Sequence, residues 1–204
     1  MWSEKVKGGH LDFPPLLLLE WRVKTMIPHL PPHIVQRLRL LKDQYGAPFV
    51  IRLYQNDEKD YPPLKEMYRG FEPKEWSQGL PPRLEQKREE WLRYVVDEGI
   101  NILAVMEGKI VGHAALFEME RGRSYEYLIF VHQDYQDRGI GTALSQAMRD
   151  LAQEMGCHHI WLTVGARNLK AIHVYEKVGF CIVGPRDVEC VMMLVLKDGE
   201  KATT

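Results

Sequence analysis

The chain has almost no charge imbalance: 27 lysines and arginines stand against 28 aspartates and glutamates, a formal net charge of −1 over 204 residues. No global field draws it to nucleic acid or to an anionic membrane, so neither is expected as a partner. Cysteine is scarce. Cys157, Cys181 and Cys190 cannot all pair, and none is spaced like a zinc knuckle, so buried, reduced thiols in a cytoplasmic protein are expected. His158 and His159 are adjacent rather than a helical turn apart, a poor metal pair, and no metal is expected. Long apolar runs are missing too. The run from Leu16 to Trp21 follows Pro14 and Pro15 directly and contains Glu20, so it reads as neither an export signal nor one of the roughly 20-residue stretches that cross a bilayer. There is no internal repeat and no low-complexity tract. The length suits one well-buried domain with an appendage.

What is present is a strand that breaks into a glycine-bearing turn and restarts as a helix, VHQDYQDRGIGTAL from Val131 to Leu144. Gly139 and Gly141 let the backbone curl closely around a bound group that a Cβ would exclude. The first amides of a helix have no intrahelical acceptor and carry the positive end of its dipole, so the turn suits a pyrophosphate, and Arg138 adds a charge. Spacing separates the competing glycine-rich motifs. A P-loop requires Lys-Ser/Thr after the second glycine, where this chain has Thr142. A dinucleotide fingerprint requires a third glycine, and Leu144 takes that place.

The pattern that fits, Gln/Arg-x-x-Gly-x-Gly/Ala at Gln136, Gly139 and Gly141, resembles the acyl-CoA pyrophosphate loop of the GNAT (GCN5-related N-acetyltransferase) family. Downstream, Asn168, Ala171, Tyr175, Gly179 and Phe180 resemble the second half of the same signature, Asn-x-x-Ala-x-x-x-Tyr-x-x-x-Gly-Phe. The resemblance covers roughly residues 49–196. It implies an acyl-CoA N-acyltransferase fold: an α/β domain with a mixed, mostly antiparallel sheet of about six or seven strands, flanked by helices and splayed at the fourth.

Taken in order, residues 1–46 read as an extension with one amphipathic helix near 32–45, where Ile34, Leu38, Leu41 and Tyr45 recur at helical spacing. Its stripe requires burial against the core or against a second subunit, so a homodimer stays open. The domain spans 47–198, and 199–204 form a tail. Residues 49–54 read as the first strand, and helices near 61–71 and 83–98 flank a loop at 72–82. Residues 100–106, 110–120, 124–131, 159–164, 180–183 and 190–196 read as strands, with helices over 140–155 and 168–177.

The resemblance implies acetyl-CoA as donor and an amine as acceptor. Donor contacts are expected from Ile129, Phe130 and Val131, whose strand edge can pair with an amide chain, and from Gln136, Asp137, Arg138, Gly139, Ile140, Gly141, Thr142, Asn168 and Tyr175. Asn168 also reads as an ordinary helix cap. A freed strand N–H is expected to polarise the thioester carbonyl, and Tyr175 to protonate the leaving thiolate. A lysine-like amine is neutral in only about one molecule in 2500 at pH 7, so a base is expected, with Glu126, Glu118 and His113 as candidates and Glu126 preferred. The acceptor wall is expected in the two early helices and their loop, at Tyr68, Phe71, Trp76 and Leu80, with Glu66, Glu72 or Glu75 for a cationic amine. A small-molecule or protein amine would then be acetylated by direct attack. The other reading is a CoA-binding sensor or scaffold without turnover.

Overall fold

The computed structural model describes residues 39–55, 57–72, 81–120 and 122–196. Strand β1 (Arg39–Lys42) turns back at residues 43–47 into β2 (Pro48–Leu53). Helices α1 (Tyr61–Arg69) and α2 (Glu85–Glu98) lead to a hairpin of β3 (Ile100–Met106) and β4 (Lys109–Glu120). Then come β5 (Ser124–Val131), a single 3₁₀ turn at Gln133–Tyr135, and α3 (Ile140–Glu154). Strand β6 (His159–Gly165), α4 (Leu169–Val178), β7 (Cys181–Val183) and β8 (Glu189–Val195) complete the described chain.

The eight strands form one sheet in the order β1-β2-β3-β4-β5-β6-β8-β7. All neighbours are antiparallel except β5 and β6. Strand alternation sorts the helices onto two faces. His113 of β4 meets Tyr68 of α1, whereas the adjacent Gly112 lies under Leu144 of α3. Each helix is placed by its buried stripe: Leu64, Met67 and Tyr68 in α1, and Leu144, Met148, Leu151 and Ala152 in α3.

Three expectations are corrected. Residues 39–45 do not continue a helix; Arg39–Lys42 is an edge strand on β2, and residues 32–38 lie outside the described residues. The alternating exposure of Arg39, Leu40, Leu41 and Lys42 follows the strand period, so cross-strand pairing overrides the helical spacing. This strand brings the sheet to eight and makes the splayed strand fifth. The helix expected near 83–98 starts only at Glu85, with Leu84 as its exposed N-cap, and Trp91, Leu92 and Val95 are its buried residues. Of the cysteines, Cys157 and Cys190 are buried but Cys181 is exposed. The remainder of the N-terminal extension and the tail fall outside the described residues, as do Trp76, Leu80 and Glu75. Among the described residues, no helix is long and apolar enough to cross a membrane.

A directional hydrogen-bond chain crosses the interior between α1 and α2. Asn101 Nδ2 donates to the carbonyls of Val95, Val96 and Gly99 at 3.1, 3.2 and 2.5 Å, at the end of α2. That orients Asn101 Oδ1 to accept from His113 Nε2 at 2.8 Å, which leaves His113 Nδ1 to accept from the Tyr68 hydroxyl at 2.8 Å. His113 is fully buried, and burial lowers its pKa to about 3, so it is neutral. The unfolded chain protonates this imidazole below about pH 6.5 while the folded one does not, so its contribution to stability is complete above that pH and is lost as pH falls toward 3. Wild type should therefore lose stability between pH 7 and 5 more steeply than His113→Asn. The excess slope should approach about 1.4 kcal/mol per pH unit below pH 6, measured by urea unfolding.

Candidate active site

Strand β5 pairs with β6 through three rows only: Ser124 with His159, Tyr125 with Ile160, and Glu126 with Trp161. From Tyr127 to Val131 it keeps its ladder to β4 alone. His132 N–H bonds back to Val111 O at 2.9 Å, so by alternation the main-chain groups of Ile129 and Val131 point away from β4, into the gap. One is already engaged. Gln136 Nε2 donates to Val131 O at 2.9 Å, which ties the glycine turn to the open edge.

The turn places two residues in left-handed backbone, Asp137 at φ 57° and Gly139 at φ 82°. A non-glycine residue there costs on the order of 1 kcal/mol, so Asp137 has to be held by its surroundings. Gly139 is the N-cap of α3, with no side-chain cap, and its carbonyl accepts from Ala143 N at 3.0 Å. The amides of Ile140, Gly141 and Thr142 precede the first intrahelical bond, an arrangement that can accept an anion. Ile140's side chain is buried, so only its backbone can serve a ligand. A Cβ at Gly141 would find ordinary contacts, 3.7 Å to Val131 Cγ2 and 4.0 Å to Val174 Cγ1. The protein itself does not require glycine there; a group lying against the turn would.

Charges around the turn are paired within the protein. Arg138 Nε bonds Asp43 Oδ2 at 2.6 Å, and its guanidinium lies 5.6 and 5.7 Å from the rings of Tyr45 and Tyr135. Burial alone would raise the Asp43 pKa, but the N–H groups of Ala47 and Tyr45 and the Arg138 guanidinium outweigh it and hold the carboxyl below its ordinary value. Lys170 Nζ pairs with the Asp137 carboxylate at 2.6 Å, neutralising an anion at the mouth of the turn. Asn168 is the N-cap of α4, its side chain accepting from Ala171 N at 3.3 Å.

The two proposed proton-transfer residues lie on opposite faces of β5. Tyr175 packs against Tyr127 and Phe180 on the α3/α4 side, with ring centroids 6.3 and 5.9 Å apart. Burial raises its pKa, so it is protonated at neutral pH. Glu126 shares the other face with Phe117 and Trp161, its register partners, and Phe117 stacks on Tyr94 of α2 at 6.1 Å. Burial raises the Glu126 pKa, and its buried Oε2 has no hydrogen-bond partner among the described residues. The other base candidates are spent: His113 is locked in the interior chain, and Glu118 accepts from Gly122 N at 2.6 Å on the exposed hairpin end.

Tyr68, expected as an acceptor contact, is only 1% exposed, and its hydroxyl bonds His113. Its ring lies 5.7 Å from Phe130 and 5.2 Å from Trp91, and Phe71 lies 5.4 Å from Phe130. Phe71 and Phe130 remain partly exposed. Beside them is a cavity of about 290 Å³ lined by Phe71, Glu72, Pro81, Pro82, Arg83 and Arg88. Sequence reasoning missed Gln133, which donates to Gly70 O at 2.7 Å and accepts from Glu72 N at 3.2 Å, stitching the wall to the turn after β5. It missed the Phe130 side chain as well, having assigned that residue a backbone role; its alternation with Glu126 along β5 was the available signal.

An open strand edge running into a glycine-bearing helix start without a side-chain cap suits a chain that carries both phosphate and amide groups. The family model described as "Acetyltransferase (GNAT) family" matches residues 61–180, and the chain belongs to that family. It is 30% identical over 125 residues to an uncharacterized N-acetyltransferase of Methanocaldococcus jannaschii, covering 55% of this chain and 51% of that protein. It is 32% identical over 81 residues to the [ribosomal protein bS18]-alanine N-acetyltransferase of Escherichia coli, covering 40% and 54%. The chain thus spans about half the length of these relatives. The fold matches the GNAT domain of S. lividans PAT with a TM-score of 0.67 at 20% identity, over 81% of this chain and 99% of that one.

If the α3 start holds phosphate, Gly141→Val should weaken CoA binding by about tenfold or more, while the melting temperature shifts by only a few degrees. Titration calorimetry on the folded variant checks this, and unchanged affinity would contradict it.

Proposed function

We propose that the chain is an N-acetyltransferase that moves the acetyl group of acetyl-CoA to a primary amine, of a small molecule or a protein, by direct attack in a ternary complex. The observation that carries this reading is the parting of β5 from β6 after Glu126, because it leaves an unpaired edge that ends at the uncapped start of α3. The amides of Ile140, Gly141 and Thr142 would hold the pyrophosphate of the donor. The main-chain groups of Ile129 and Val131 would hold its amide arm as an added strand. Acetyl-CoA supplies the acyl group as a thioester; binding, orientation and proton transfer fall to the protein.

Within the gap, the N–H of Ile129 would polarise a carbonyl oxygen that gains negative charge during attack. Glu126, on the α1/α2 face, would take a proton from the ammonium acceptor. Its raised pKa makes the carboxylate a better proton acceptor than an ordinary exposed one. Tyr175, on the opposite face, would give its hydroxyl proton to the departing sulfur. The donor would then approach from the α3/α4 side and the acceptor from the α1/α2 side, past Phe71 and Phe130. The relative named for a ribosomal-protein alanine supports a protein amine among the acceptors to test.

Glu126→Gln is expected to lower kcat by about 10²- to 10⁴-fold at neutral pH, with CoA affinity nearly unchanged. It should also remove the acidic limb of the pH profile, since a carboxyl whose pKa is raised works only once pH exceeds that value. Tyr175→Phe should cost less. A phenol already weaker than the thiol it serves is weakened further by burial, so a loss nearer 10-fold, with intact CoA binding, is expected. Thiol release with acetyl-CoA and a panel of polyamines, amino acids and peptides reads both. Tight CoA binding with no release from any amine would favour the sensor reading.

A further inference from the structure

The Arg138 side chain was expected to meet phosphate, and its guanidinium is instead bound inside the protein. Its partner, Asp43, sits 95 residues earlier in the turn between β1 and β2, with a side chain that has no exposed surface. The Asp43 carboxylate also accepts from Tyr45 N at 2.9 Å and Ala47 N at 2.8 Å, so the turn is rigidly built around it. Two further bonds run from this turn to the same stretch: Gln44 N donates to Arg138 O at 3.2 Å, and Gln44 Nε2 donates to Asp137 O. All three contacts converge on the two residues before Gly139, one of which is the left-handed Asp137.

From this convergence we propose that Asp43 is a positioning residue for the donor site: through Arg138, and with Gln44, it holds the glycine turn in the shape that presents the α3 amides. This rests on the donor-site reading above. Arg138 then acts as a strut rather than a phosphate ligand. Attraction for the anion comes from main-chain amides, and the β1–β2 turn is a working part of the site despite its distance in sequence.

The experiment is titration calorimetry with CoA on wild type, Asp43→Asn, Arg138→Gln, the double variant and Gln44→Ala, each well below its melting temperature. Asp43→Asn keeps the side-chain shape and removes the charge. It is expected to raise the CoA dissociation constant about tenfold, Arg138→Gln about equally, and the double variant no further than either. Gln44→Ala should shift it in the same direction by a smaller factor. A purely structural pair would lower the melting temperature and leave the dissociation constant of the folded protein alone. If Arg138 were a direct phosphate ligand, Asp43→Asn would free the guanidinium and tighten binding. Unchanged or tighter binding in folded Asp43→Asn therefore overturns the proposal while the donor site stands. Should that variant not fold, unchanged affinity in Gln44→Ala overturns it. A wild type that does not bind CoA overturns the donor-site reading and the proposal together.

Discussion

The site depends on one backbone constraint: β5 can pair with β6 for three rows and no more. Beyond Glu126 the strand is half-exposed, and among the described residues no strand neighbour pairs with the main-chain groups on that side. The unpaired groups of Ile129 and Val131 are tolerated because they line a gap that a ligand or Gln136 can fill. The parting lies between the face of Tyr175 and the face of Glu126, so the proposed reaction would draw on both.

Everything nearby secures that opening. On one side, the interior chain from Tyr68 through His113 and Asn101 to the end of α2 fixes the angle at which α1 and α2 stand over Phe130. It is directional and fully buried, so breaking one link leaves donors and acceptors unsatisfied rather than merely loosening a contact. On the other side, the β1–β2 turn grips the residues before Gly139. Gln133 bridges the two sides.

The glycine turn, the helix after it and the cap at Asn168 were legible in the sequence because each is local: a few residues at fixed spacing dictate a turn or a cap. The eight-stranded outcome was less so. Arg39–Lys42 has helical spacing when read with its neighbours, and only its partner Pro48–Leu53 makes it a strand. Residue roles set by non-local contact were least legible. Nothing near Arg138 in sequence indicates that Asp43 engages it, and nothing near Tyr68 indicates that His113 takes its hydroxyl. Glu126 could be named as a base but not assigned a face until the register with Phe117 and Trp161 was known.

The most direct test of the account is amide hydrogen exchange, resolved by residue, with and without CoA. An added strand on the open edge of β5 and an anion on the α3 start require slower exchange at Ile129, Val131, Gly141 and Thr142 when CoA is bound. The β2–β3 ladder, already paired and remote from the gap, should change little. Protection confined to other segments, or none at these four amides at saturating CoA, would contradict the claim that the parting of β5 and β6 is the donor site.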